Sequence, residues 1–510
     1  MLFNSYAFLL AFLPLALAGF FLAARLGGPP VAAGWLVAAS ISFYAWGNAA
    51  FLPVLLVSVG GNYAAVRAIG AARGRSRLQA WLLGAAIAAD LGALIYYKYL
   101  ADLLGFLGLP RGWGGDALPL GISFFTFTQI GYLIDCRAGT ARARGLGDYL
   151  LFVTFFPHLV AGPILHHREI MPQFAEARTW RPSGENIAVG SAIFTIGLLK
   201  KCLLADPLAP VVAAGFAHPT ALGLAGAWQA AASYSLQLYF DFSGYSDMAI
   251  GLARLFNLRF PLNFNAPYKA ESVIDYWQRW HMTLTRYLTL YLFSPIALAI
   301  SRRRAARGRP VGRVGQGTAG GFAAMVALPI AITMTLAGIW HGSGQTFIAF
   351  GVLHAVYLIV NHAWRVFGPA RRGNGIRSRI GRIALTYLAV LAGAVVFRAP
   401  TLGVAGQMLG GMVGMHGLAV ALPPPGDLRA VLRLARALGW LAALYGIVWF
   451  APTTQQIMRG FAPALGAVRT GPWPGLAWQP SLPWALALGG AGALGLLALG
   501  GTSEFLYFRF

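Results

Sequence analysis

The chain has 510 residues, 58% of them hydrophobic and 11% charged, whereas a water-soluble domain is about 25% charged. Its formal net charge of +24 comes from 39 basic residues against 15 acids. That basicity is not gathered into the single face a nucleic acid would need; it falls in short loops between apolar runs. Nucleic acid is therefore excluded as a partner, and the composition describes a polytopic protein bedded in a lipid bilayer.

In chain order, "YAFLLAFLPLALAGFFLAA" (6–24) comes first, near the ~20 residues that span a bilayer. It lacks a basic leader, and its apolar stretch is too long for a signal-peptide core, so it is read as a retained first transmembrane helix. Further apolar segments follow at about 31–46, 50–66, 80–99, 118–134, 149–163, 188–205, 226–252, 284–300, 322–340, 345–363, 383–399, 437–451 and 483–501. Several are short or interrupted by Gly and Pro. The expected fold is all-α and polytopic, with roughly 11–13 transmembrane or re-entrant helices. Four arginines lie in 67–77, six in 301–313 and six in 365–382, with no acid among them, which assigns these three loops to the cytoplasm. The polar insert 164–186 reads as an amphipathic or irregular segment along the interface. Residues 417–435 and 464–482 read as a loop and a re-entrant or interfacial stretch. No repeat and no long soluble insert divides the chain, so residues 1–510 are taken as one membrane domain, with its core motifs in 118–363. Cys136 and Cys202 belong to no Cys/His cluster, and neither a metal site nor a disulfide is expected.

Ten of the fifteen acids fall between Asp135 and Asp275. Ionisable groups at membrane depth are costly and line cavities or pathways, so polar chemistry is expected in this middle third. Within it, Asp241 and Asp247 sit among Ser243, Gly244, Tyr245 and Ser246, a polar stretch suited to burial in protein rather than to lipid. A helix pattern then starts at Glu271. Trp277, Trp280, His281, Leu284 and Leu288 share one face of it, Asp275 and Arg279 pair one turn apart, and Gln278 or Thr285 can fix the tautomer of His281.

The stretch "GIWHGSGQTF" (338–347) lies between two apolar runs whose flanking Arg-rich loops share a side. The chain must go out along 322–340 and return along 345–363, which puts His341 near the turn of a hairpin, with Trp340 able to wall a pocket. Gly338, Gly342 and Gly344 are expected to leave the backbone free to open there. No GxSxG, HExxH, GxxxxGK[ST] or strand-bound GxGxxG motif is present.

These stretches together carry a resemblance. "MLFNSYAFLLAFLPL", "FFPHLVAGPI" (155–164), "YFDFSGYSDMAIGLARLFNLRFPLNFNAPYKAESVIDYWQRWHMTLTRYL" (239–288), "AGIWHGSGQTFIAFGVLHAVYL" (337–358), "PTTQQIM" (452–458) and "EFLYFRF" resemble the membrane-bound O-acyltransferase family, in its alginate O-acetyltransferase-like branch. The resemblance implies helices around a central tunnel and O-acyl transfer, with His341 and His281 as the catalytic pair. Trp340, Asp241, Asp275, Trp280 and Asn263 are supporting or tunnel candidates. It further implies acetyl-CoA as co-substrate with no permanently bound cofactor, an extracytoplasmic polysaccharide, a periplasmic or membrane-anchored acetyltransferase partner, and a multi-pass place in a bacterial inner membrane. A sugar hydroxyl is a poor nucleophile, and a positioned imidazole removes its proton as it attacks a thioester. Where the family continues past "WHMTLTRYL" with an aspartate and a "YIPLGGNR"-like loop, this chain reads "TLYLFSPIALAISRRR". The rival class is a transporter or proton-relay channel, which shares the architecture but has no use for this set of motifs.

Overall fold

The structure, a computed structural model, describes residues 1–109, 118–141, 145–369, 375–418, 427–466, 468, 473–499 and 505–506. Arg371 and Arg372 of the third basic loop, residues 419–426 of the expected loop 417–435, residues 467 and 469–472 of the expected re-entrant or interfacial stretch 464–482, and most of the closing "EFLYFRF" lie outside them, while the helix Leu428–Phe450 takes up the end of the expected loop 417–435. Among the described residues the secondary structure is helical, and one isolated bridge, Pro261 to Leu465, is the sole β contact. Nine helices among them are long and apolar enough to cross a membrane, with a shorter apolar helix at Leu482–Leu497. The protein is an all-α polytopic membrane protein.

By density of contacts the chain divides into two units. One comprises Met1–Leu203, Phe242–Leu262 and Thr454–Phe510, the other Leu204–Asp241 and Asn263–Thr453.

In the first unit, the two opening segments form Ala7–Ala45, broken at Gly28. Pro29 and Pro30 supply no backbone N–H there, and Gly28 takes φ 74°, a left-handed conformation open to glycine. The two arms fold back on each other, so that the Trp35 indole donates to the Ala16 carbonyl at 3.0 Å. The polar insert after residue 164 contains the helix His167–Phe174. It is capped reciprocally: His166 Nδ1 accepts from the Arg168 N–H, and the Glu169 carboxylate accepts from the His166 N–H. Ile170, Met171 and Phe174 form its buried side, which is the amphipathic segment expected there.

Asp247 shows how this unit tolerates an acid in its interior. The residue is 3% exposed, and its carboxylate accepts from Lys200 Nζ, Thr454 Oγ1 and Gln455 Nε2, each at 2.6 Å. This gives "PTTQQIM" a structural role, and it makes Asp247 a satisfied, charge-paired network. The helix Leu224–Leu255 passes through the Asp241–Asp247 stretch without interruption. The polar residues there are buried in protein, as expected.

In the second unit, Ala319–His341 and Gln345–Phe367 form the expected hairpin. The glycines in and around its turn act differently from the expectation. Gly342 has φ −179° and Gly344 φ −69°, conformations any residue adopts. Gly338 instead permits contact between backbones: a Cβ there would lie 2.4 Å from the Phe347 carbonyl oxygen and 2.9 Å from Gly351 Cα. Gly351 reciprocates, 2.5 Å from the Met334 oxygen. Small residues facing each other in this way let membrane helices pack backbone to backbone.

Gly338→Val must push the two helices apart, an overpacking cost of about 1–3 kcal/mol that lowers the thermal unfolding midpoint in detergent. Gly344→Ala, where a Cβ meets nothing nearer than 3.5 Å, leaves the midpoint in place.

Candidate functional site

The second unit also holds both sequence-selected histidines. The helix expected from Glu271 onward is two short helices, Val273–Trp277 and Met282–Leu288, with a turn between them. Ser272 Oγ caps the first by accepting from the Asp275 N–H at 3.2 Å. His281 occupies the turn with φ 43°, a left-handed conformation that costs a non-glycine residue about 1 kcal/mol or more. What holds it is Asn263, eighteen positions earlier. The Met282 N–H donates to the Asn263 carbonyl and the Asn265 N–H to that of Arg279, both at 2.9 Å. The Asn263 side-chain oxygen lies 3.0 Å from His281 Nδ1 and 2.9 Å from Thr283 Oγ1, which donates to it. The shared face expected for Trp277, Trp280, His281, Leu284 and Leu288 is therefore replaced by a turn, because hydrogen bonds from a distant segment outweigh local helical periodicity.

This geometry decides the tautomer. An amide oxygen that receives a hydroxyl proton is an acceptor, so His281 Nδ1 carries hydrogen and the basic nitrogen is Nε2. Neither sequence candidate for that task performs it. Gln278 is exposed, and Thr285 meets His281 through the backbone, its N–H donating to the His281 carbonyl at 3.1 Å.

Trp340 neighbours both histidines, its ring centroid 6.5 Å from that of His281 and 5.0 Å from that of His341. All three residues are buried. His341 ends its helix and meets the edges of Phe397 at 5.2 Å and Phe350 at 6.1 Å. Phe350 continues to His354 at 4.5 Å. His354 was not singled out from the sequence. It is 1% exposed, its Nδ1 accepts from the Trp277 indole N–H at 3.2 Å, and its ring packs against the space left by Gly393. The available signal was a histidine within an apolar run at membrane depth. Trp280 is stacked on Tyr276 at 5.7 Å and edge-to-face with Phe264 at 5.0 Å, and Tyr276 continues to His354 at 6.4 Å. The arrangement is a buried cluster of aromatic rings with three imidazoles among them.

Asp275 and Asp241 are the carboxylates among the candidates. Asp275 receives Arg279 Nε at 2.7 Å, as expected, and also the Glu271 N–H at 3.1 Å. Glu271 is clasped by Arg382 at 2.7 Å and Arg379 at 3.0 Å. The hydrogen bond from Arg382 leads in holding its carboxyl below the usual range. Asp241 is buried on Leu224–Leu255. The partner of His281 Nδ1 is the Asn263 amide.

In the first unit, Asp135 Oδ2 lies 2.9 Å from His166 Nε2 and 3.0 Å from His167 Nε2. The three donor atoms lie within 4.8 Å of one another, a spacing open to a metal ion. His166 Nδ1, however, accepts the Arg168 N–H, which places the ring hydrogen on Nε2 and directs it at the carboxylate. A hydrogen-bonded clasp accounts for the group.

Residues 124–312 match the family model of MBOAT, the membrane-bound O-acyltransferase family. A peptidoglycan O-acetyltransferase of Helicobacter pylori is 36% identical over 452 residues, covering 82% of this chain and 81% of the relative. A probable alginate O-acetylase AlgI of Pseudomonas aeruginosa is 36% identical over 420 residues, 80% of this chain and 74% of the relative. A teichoic acid D-alanyltransferase of Streptococcus thermophilus is 28% identical over 256 residues, 48% and 57% of the two chains.

Asn263→Ala strips His281 and Thr283 of a shared acceptor, at a cost of about 1–3 kcal/mol in unfolding free energy. Asn263→Asp keeps an acceptor oxygen and costs less. Equal losses in a thermal unfolding series would contradict the acceptor role.

Proposed function

The chain belongs to the membrane-bound O-acyltransferase family and is an O-acyltransferase; from that premise we propose that it moves an acetyl group from acetyl-CoA, across a bacterial inner membrane, to an extracytoplasmic glycan. The observation that carries the reading is the gathering of His281 and His341 about the ring of Trp340, at 6.5 Å and 5.0 Å between ring centroids, with all three residues buried. Family membership sets aside the transporter alternative. The names of the relatives, a peptidoglycan O-acetyltransferase and alginate O-acetylases, support acetyl as the group and a glycan as its destination.

The chemistry needs one base. As the acceptor hydroxyl attacks the thioester carbonyl, an imidazole nitrogen takes its proton, the C–O bond forms and the C–S bond breaks. The proton then passes to the departing CoA thiolate, so the histidine ends as it began. We assign this base to His341, at the outer end of the hairpin. His281 supports it: Asn263 presents His281 through a defined Nε2, and Trp340 neighbours both imidazoles. The aromatic walls exclude water, which would hydrolyse the thioester. Arg302 and Arg303, in the last turn of the helix Ser294–Ala305, and Arg307 and Arg309 just beyond it are exposed and suit the phosphates of a CoA donor. No resident cofactor or metal takes part in this scheme. The immediate acceptor is a periplasmic or membrane-anchored acetyltransferase that completes transfer to the sugar.

The test is acetyl transfer from radiolabelled acetyl-CoA by purified protein in detergent, with acceptor-containing membrane extract. His341→Ala at equal folded yield should lose about 10²–10⁴-fold in kcat, the usual worth of a general base. Retention of wild-type turnover by His341→Ala would overturn the assignment, and failure of the wild type to release CoA would overturn acetyl-CoA as donor.

A further inference from the structure

The first unit contains a second polar feature at membrane depth, which the transferase chemistry does not use. The helices Leu52–Ala71 and Ser76–Lys98, with the start of Ile122–Arg137, enclose a groove of ≈ 630 Å³. Its walls are mostly small and apolar, Gly61, Ala65, Ala86, Ala89 and Ala93 among them. It opens at the surface, where Val57 on its lining is 75% exposed.

Asp90 and Asn62 belong to the same wall, 6% and 5% exposed. Asn62 Nδ2 donates to Asp90 Oδ1 at 2.7 Å and to the Ser58 carbonyl at 3.0 Å, which uses both amide hydrogens. Two acceptors remain without a partner: Asp90 Oδ2 and Asn62 Oδ1. Turning the amide over would set oxygen against oxygen, so the orphaned pair follows from the Asp90–Asn62 contact itself. By the helix rise, Asp90 stands about 21 Å from Ser76 and about 12 Å from Lys98 along its helix.

At that depth the source of a donor is restricted. Acyl chains have no N–H or O–H, and lipid headgroups stay at the interface. A hydroxyl supplies a single hydrogen to two waiting oxygens; an ammonium or guanidinium supplies several, and also offsets the carboxylate charge. Walls of glycine and alanine let another helix approach closely. We propose that this groove receives a transmembrane helix of a partner membrane protein, one that presents a lysine or arginine to Asp90 and Asn62. The proposal stands independently of the transferase assignment.

The probe is a pair of synthetic Leu/Ala helices of about 20 residues, identical except for a central Lys or Leu. Their binding to the full-length purified protein in lipid nanodiscs is read by energy transfer. The Lys helix should bind about tenfold or more tightly than its Leu twin, about 1.4 kcal/mol. Asp90→Asn, which keeps a partner for Asn62, should reduce the preference to about twofold or less. Ala86→Leu, which fills the groove and leaves Asp90 in place, should abolish binding of the Lys helix. Unfolding midpoints of the variants establish that each is folded. Equal binding of the two helices to the wild type overturns the proposal, as does a Lys preference that survives Asp90→Asn. Retention of a lipid that Ala86→Leu releases, without any Lys preference, would give the groove to lipid and overturn it. A wild-type dimer that Ala86→Leu dissociates would give it to a second copy, with the same consequence.

Discussion

The candidate site depends on one amide. Asn263 offers its backbone carbonyl to Met282 and its side-chain oxygen to His281 and Thr283. Those contacts hold the chain in a turn that helical periodicity would not choose. Without them His281 has no reason to adopt φ 43°, and a continuous helix would carry its imidazole in another direction. The hydrogen bonds also select the tautomer, so a single residue sets both the position and the chemical state of the His281 imidazole. In an interior with little water the amide has no competitor for these donors, which makes a small group decisive.

Around that turn, packing replaces polar contacts. Gly338 and Gly351 bring two helix backbones together, which fixes where the hairpin ends and so where His341 sits. The rings of Trp340, Phe350 and Phe397 then fill the space about the imidazoles. Aromatic side chains suit this work: they are large and rigid, and their edges pair favourably with neighbouring ring faces. The acids that crowd this part of the sequence serve mostly as structure. Glu271, Asp275 and Asp247 each have basic or hydrogen-bonding partners of their own. Asp90 differs, because one of its oxygens has none.

Much of this was legible in the chain. The apolar runs located the membrane helices, since spanning a bilayer leaves a composition and length signature that needs no tertiary information. Trp340–His341 and "RWHMTL" stood out because histidine among apolar residues at depth is costly. The Asp275–Arg279 pair followed from helical spacing alone. The turn at His281 was not legible: its cause lies eighteen residues upstream and involves an asparagine with no local anomaly. His354 and Asp90 were passed over for a related reason. Each is a lone polar residue in an apolar helix, and whether such a residue is satisfied depends on what the neighbouring helix presents.

The sequence by itself therefore determined the class of protein, the all-helical membrane fold and the acyltransferase family, because these depend on composition and on motifs carried within short stretches. The tertiary structure alone decided which group orients His281, what Gly338 is for, which acids are already paired, and that an orphaned carboxylate faces an apolar groove. Those outcomes depend on hydrogen bonds and backbone contacts between residues far apart in the chain. In a medium without water, such contacts are the only way a buried polar group can be satisfied.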